Sequence, residues 1–271
     1  MPDEAIQPGD TVALLEKALA ENERVCWHLS SDGARWRFHT EPNVNAILEE
    51  EKNNVQNTRA AQALDDAVRK AFCNDAGATT IIYPAGPAAV PDEAALRIVV
   101  VDPDQRTTHG KKAEQPDPFL VEIRDTTGQA GSPRRYRNSL VFVVADDDHL
   151  DQLKERIRAQ LAAEAITSDA ARMATFEPNV RHKIEEFQKN ARLEARIAIT
   201  RCFKHVYYPM NDAAHQYLRH ADLPPQQQGS AASATKAVVA LLDDEQKIRT
   251  TAIPYAWLKS KAWPSRNPST T

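Results

Sequence analysis

Leu140-Val141-Phe142-Val143-Val144-Ala145-Asp146-Asp147-Asp148 is the stretch on which the fold turns. Its apolar run lacks the alternation of a half-exposed strand, which predicts a strand buried on both faces. The aspartates that follow suit the positive end of a helix dipole, and Leu150, Leu153, Ile157 and Leu161 continue at helical spacing. A buried strand running straight into an amphipathic helix is the repeating unit of an α/β layer.

Further runs of the same kind lie upstream. Thr79–Tyr83, Leu96–Val101 and Phe119–Ile123 are short, apolar or β-branched and bounded by Pro, Gly and Asp, so each is expected to be a strand. Val25–Leu29 and Arg35–His39 alternate around Ser30-Ser31-Asp32-Gly33-Ala34, a hairpin pattern. Asp10–Glu21 carries Val12, Leu15, Ala18 and Leu19 at helical spacing. Thr40-Glu41-Pro42-Asn43 opens another helix, with Val44, Ile47 and Leu48 on its apolar face; helical pattern continues past a break near Asn53-Asn54 to about Phe72. Glu-Pro-Asn-Val at 41–44 recurs at 177–180, where the same capping chemistry is expected.

From Ser168 onward the pattern reads as almost all helical. One long helix is expected over Val180–Tyr208, then a Leu223–Ser230 linker and short helices at Lys236–Leu242 and Tyr255–Lys261. The fold class is therefore mixed, helix-rich α/β: an N-terminal helix, hairpin and helix region (1–76), a central buried sheet with helices (77–167), a long-helix region (168–222) and a small C-terminal helical region (231–264).

Composition narrows the function classes. The 271 residues are 42% hydrophobic and 27% charged, which excludes a disordered or fibrous chain, and only 8 are glycine. A net charge of -4 argues against wholesale coating of nucleic acid while leaving room for a local basic patch. Cys26, Cys73 and Cys202 are odd in number and far apart, which points to a reducing compartment. The first residues, Met-Pro-Asp-Glu-Ala-Ile, lack a signal peptide's basic start and apolar core, and no stretch approaches a membrane span. The expectation is a cytoplasmic chain without a membrane partner.

The scarce glycines bear on cofactors. A phosphate-cradling loop needs Gly-x-x-x-x-Gly-Lys-Ser/Thr, and neither Gly77/Gly86 nor Gly128/Gly131 is followed by Lys-Ser/Thr. The 140–147 run has the outline of a Walker B strand, but without that loop it reads as a buried strand and a helix cap, and no cofactor is expected in this chain. Asp102 and Asp104 after one expected strand, with Glu122-Ile123-Arg124 in the next, resemble the acid and Glu-x-Lys of restriction-type nucleases, which hold Mg²⁺ between adjacent strands. Arginine stands where lysine is wanted, and it exchanges a proton poorly. His215 and His220 are five apart, off the spacing that puts two ligands on one helix face, so no metal site is expected. Basic residues gather at Arg134-Arg135-Tyr136-Arg137 and along Lys189, Arg192 and Arg196, both candidate contacts to a partner or to nucleic acid.

Several phrases resemble a known family: Trp36-Arg37-Phe38-His39-Thr40-Glu41-Pro42-Asn43-Val44-Asn45, Arg135-Tyr136-Arg137-Asn138-Ser139-Leu140-Val141-Phe142, and the strand-to-helix run into Leu153. They look like large bacterial AAA-type ATP-binding proteins of unknown function, encoded beside DNA methyltransferases and helicases in phage-defence gene clusters. The similarity runs from about Arg24 to Pro264, downstream of that family's nucleotide-binding loop, so its ATP and Mg²⁺ residues have no counterparts here. The resemblance implies that this chain is the post-ATPase part of such a protein, cut or encoded as a truncated gene. It further implies a non-catalytic role in contacts with the ATPase portion, with other defence subunits or with DNA. The competing expectation is a Mg²⁺-dependent nuclease using Asp102, Asp104, Glu122 and Arg124.

Overall fold

A computed structural model describes residues 17–19, 21–22, 29–31, 36–38, 43–128, 131–224 and 233–248. In chain order its elements are β1 (Leu29–Ser31), β2 (Trp36–Phe38), α1 (Val44–Asn54), α2 (Asn57–Ala71), β3 (Thr79–Ile82), β4 (Arg97–Val100), β5 (Thr107–Thr108), α3 (Pro118–Asp125), β6 (Thr126–Thr127), β7 (Ser132–Pro133), β8 (Leu140–Asp146), α4 (Asp147–Ser168), α5 (Ala170–Thr175), α6 (Pro178–Cys202), β9 (His205–Pro209), β10 (Leu218–Asp222) and α7 (Ala234–Asp244).

The main sheet runs β10-β9-β8-β4-β3. Strands β3, β4 and β8 are parallel, whereas β9 pairs antiparallel with the free side of β8 and β10 pairs antiparallel with β9. Every residue of β8 is buried. Leu140, Phe142 and Val144 meet Leu120 and Ile123 of α3 together with Val90, Tyr207 and Leu218. On the opposite face, Val141, Val143 and Ala145 meet α2, α4, α6 and α7 through Leu64, Leu153, Ile199 and Val238. One face thus carries a thick helical layer and the other a short helix with loops. The larger cluster reaches from Val55 to Leu242, so the segments read apart in the sequence share one core. A third cluster packs Ile47 and Leu48 of α1 on Ala163, Ile166, Val180 and Ile184.

The mixed α/β class holds, as do β3, β4, β8, the break between α1 and α2, and the helix after β8. The expected hairpin is present as the β1–β2 pair, with Ser30 and Ser31 of the expected turn in β1, and Val25–His28 lie outside the described residues. Two expectations are corrected. Phe119–Ile123 is not a strand but the body of α3. Asp117 caps that helix by accepting from the Phe119 amide at 2.8 Å, and Pro118 fills its first position, so local start signals outweigh a short apolar run. The long helix stops at Cys202, and His205-Val206-Tyr207-Tyr208-Pro209 is a strand. Its β-branched and aromatic residues pair with β8, so the C-terminal part supplies two strands as well as helix.

The repeated Glu-Pro-Asn-Val is used in two registers rather than one. Asn43 caps α1 by accepting from the Asn45 amide at 2.9 Å. At the second copy Glu177 occupies the cap position without a side-chain bond, and Pro178 begins the helix. Of Asp10–Glu21, residues 17–19 and 21 are helical, and the rest lies outside the described residues, as do most of the expected linker and all of Tyr255–Lys261. Among the described residues no helix is long and apolar enough to cross a membrane.

Phe142 is fully buried between the sheet and α3. Phe142→Ala should lower unfolding free energy by about 3–5 kcal/mol, read as a lower urea midpoint with unchanged slope.

Candidate functional site

Polar groups gather at both ends of the parallel strands. At the amino end lies a cavity of about 640 Å³, walled by Leu96, Val141, Leu242 and Ile248 and edged by Arg124, Arg137, Tyr217 and Lys247. The loop 134–139 lines an adjoining concavity that shares Arg137 and Asn138 with it.

The arginines of this loop have different roles. Arg134, expected to contact phosphate, is buried. Its guanidinium donates to the carbonyls of Ile123 at 2.8 Å, Pro91 at 2.9 Å and Val90 at 3.0 Å. It ties the loop to α3 and to the 87–91 turn and presents nothing outward. Asp92 accepts from the amides of Arg135 at 2.8 Å and Tyr136 at 2.9 Å, and these bonds hold its carboxyl below the usual carboxylate pKa. Arg135 and Arg137 remain exposed on this fixed frame, with the Arg135 guanidinium 5.3 Å from the Tyr136 ring centre.

Arg124 ends α3 and is also buried. It donates to Asp125 at 2.8 Å and to the carbonyl of Gln216, and its guanidinium lies 5.4 Å from the Tyr217 ring centre. Gln216 and Tyr217 are consecutive non-glycine residues with φ of 51° and 59°. Such left-handed residues cost about 1–3 kcal/mol each and collect at functional sites. Here the strained turn holds Tyr217, 48% exposed, at the cavity edge.

The arrangement expected of a nuclease is not formed. Glu122 and Arg124 sit on a helix rather than on a strand beside β4. Asp102 accepts from the Asp104 amide and the Gln105 side chain, while Asp104 pairs with Lys154 at 3.0 Å. On α6, Lys189, Arg192 and Arg196 are exposed, but Arg192 pairs with Glu164 of α4 at 2.9 Å. That stripe therefore also fastens two helices together.

The carboxyl end holds a group that the sequence reading did not assemble. Asp222 lies directly across from His205 in the β9–β10 ladder, and His220 is two residues earlier on the same face. His205 Nδ1 is 2.8 Å from Asp222 Oδ1 and 2.9 Å from His220 Nε2, and His220 Nε2 is 3.3 Å from Asp222 Oδ1. Behind them Asp146, the cap of α4, places Oδ2 3.2 Å from His205 Nε2. Burial opposes ionisation of Asp146, but Lys204, the Asp148 amide and His149 outweigh it and hold the carboxyl below its ordinary pKa. Burial also lowers both histidines, against the pull of Asp222, so each favours its neutral form. The buried Cys202 thiol donates to the Asp146 carbonyl at 3.7 Å, and burial pushes it up to about 12, so it stays a thiol. The signal for this group was His220-x-Asp222, one face of a strand, which is readable only once β10 is known to be a strand.

Comparison with known proteins gives no matching family model, curated protein or solved structure.

Arg134→Ala should cost about 1.5–3 kcal/mol, the value of a lost charged hydrogen bond, and Arg134→Lys should not restore it, because an ammonium cannot reproduce the guanidinium fork. Chemical denaturation measures both. Because the folded-state pKa of Asp92 is depressed, its anchoring of the loop is complete above the unfolded pKa of about 3.9 and is lost as pH falls through the lower folded value. In an NMR titration the Arg135 and Tyr136 amides should shift together below that pH, and Asp92→Asn should abolish the step.

Proposed function

We propose that this chain is a non-catalytic docking module, and that the amino-end cavity receives an acidic, partly apolar segment of a partner protein. The observation that carries the reading is the meeting of Lys247 and Arg137 with the exposed Tyr217 around apolar walls, with Asp125 at the same rim pairing with Arg124 at 2.8 Å and lying 3.8 Å from Arg137. Carboxylates pair with guanidinium and ammonium groups, aliphatic side chains fill the walls, and Arg and Tyr are residue types that dominate interface energies. The strained Gln216–Tyr217 turn, clamped by Arg124, supports a surface set in advance of binding.

In the setting implied by the family resemblance, the partner is the ATPase portion of a phage-defence ATP-binding protein or another subunit of that system, and nucleotide chemistry belongs to that portion. The start of α4 favours the same division of labour. Asp146, Asp147 and Asp148 crowd the helix end where a nucleotide phosphate would need free amides. A DNA-contact role is less well supported, since Arg134, the first of the clustered arginines, is internal.

Co-expression with the products of the neighbouring genes, followed by affinity measurement on the complex that forms, tests the reading. Arg137→Glu with Lys247→Glu should weaken association by about 30-fold, the loss of roughly one hot spot of 2 kcal/mol. Salt-dependent binding of a DNA duplex that these substitutions weaken, with no protein partner, would replace docking with the DNA role. ATP binding by this chain alone would overturn the non-catalytic assignment.

A further inference from the structure

We propose that His205, His220 and Asp222 form a binding site for one divalent transition-metal ion, with Zn²⁺ the best match to the donor set. The three atoms involved, His205 Nδ1, His220 Nε2 and Asp222 Oδ1, converge from two paired strands at the carboxyl end of the sheet. That end is where open α/β sheets place ligands. This site is independent of the docking cavity, which lies at the opposite end.

Ligand separations fit a metal. Zinc bound by nitrogen and oxygen at about 2.0–2.1 Å in a tetrahedron sets its ligands about 3.3 Å apart. Here the separations are 2.8, 2.9 and 3.3 Å. The two shorter separations need to open by a few tenths of an ångström, which outward shifts of the exposed Asp222 and the half-buried His220 supply. Two imidazole nitrogens and a carboxylate are also donors that zinc accepts, whereas Mg²⁺ and Ca²⁺ select oxygen.

Behind the ligands, Asp146 Oδ2 lies 3.2 Å from His205 Nε2. In the ion-free group a single proton on His205 Nδ1 can bridge Asp222 Oδ1 and His220 Nε2, and a cation at the common centre would take that proton's place. A buried carboxylate behind a ligating imidazole is the arrangement that orients such ligands. Three protein ligands with Asp222 at the surface leave one coordination position open to water.

The test uses the full chain, stripped with chelator and dialysed, then titrated with Zn²⁺ against a chromophoric indicator and separately with Co²⁺. One equivalent should bind, Co²⁺ should show the visible absorption of a tetrahedral site, and Zn²⁺ should raise the melting temperature. His220→Ala and Asp222→Ala, both at partly exposed positions, should fold and lose the Co²⁺ spectrum and the thermal shift, with affinity down by about 100-fold. His182→Ala, at an exposed position on α6 outside this group, should bind as the unsubstituted chain does. Failure of the unsubstituted chain to bind a stoichiometric ion would overturn the proposal. Binding that survives in both His220→Ala and Asp222→Ala would overturn it equally.

Discussion

The double-sided burial of β8 is the constraint on which the rest of the structure depends. A strand with no exposed residue must be covered on both faces and paired on both edges, because its backbone groups have no water to turn to. The parallel strand β4 satisfies one edge and the antiparallel β9 the other. The large cluster of α2, α4, α6 and α7 covers one face, while α3 and the 87–91 turn cover the other. Each later feature follows from those choices. Adding β9 antiparallel brings the start of that strand beside the end of β8, which is why His205 meets Asp146. Covering the second face with so short a helix leaves Arg124 and Arg134 to tie the loops together by hydrogen bonds to carbonyls.

What could be read in the sequence was local. The β8–α4 junction was legible because an unbroken apolar run, an aspartate cap and a 3.6-residue stripe agree. The same kind of run failed at Phe119–Ile123, where the Asp117-Pro118 helix start outweighs five residues of apolar pattern. It failed again after Cys202, because the helical stripe of α6 passes without a glycine or proline into Val206-Tyr207-Tyr208 and pairing with β8 and β10 makes that segment a strand.

The sites were less legible than the fold, for a physical reason. Arg134 and Arg135 are neighbours of identical type, yet one is buried on four carbonyls and the other exposed; the difference lies in the distant turn at 87–91. His205, His220 and Asp222 become a group only through a ladder register. Spacing along a helix was the wrong ruler for them. The basic cluster itself was visible, but the partners that turn it into a cavity edge, Arg124, Tyr217 and Lys247, come from three separate parts of the chain.

The central claim is that the amino-end cavity is the surface this chain offers to a partner protein. Lysine footprinting by mass spectrometry, on the chain alone and in its assembled complex, tests that most directly. Lys247, exposed at the cavity edge, should become protected in the complex while Lys189 on α6 keeps its reactivity. Protection of Lys189 with Lys247 unchanged would contradict the account and move the contact to the outer face of α6.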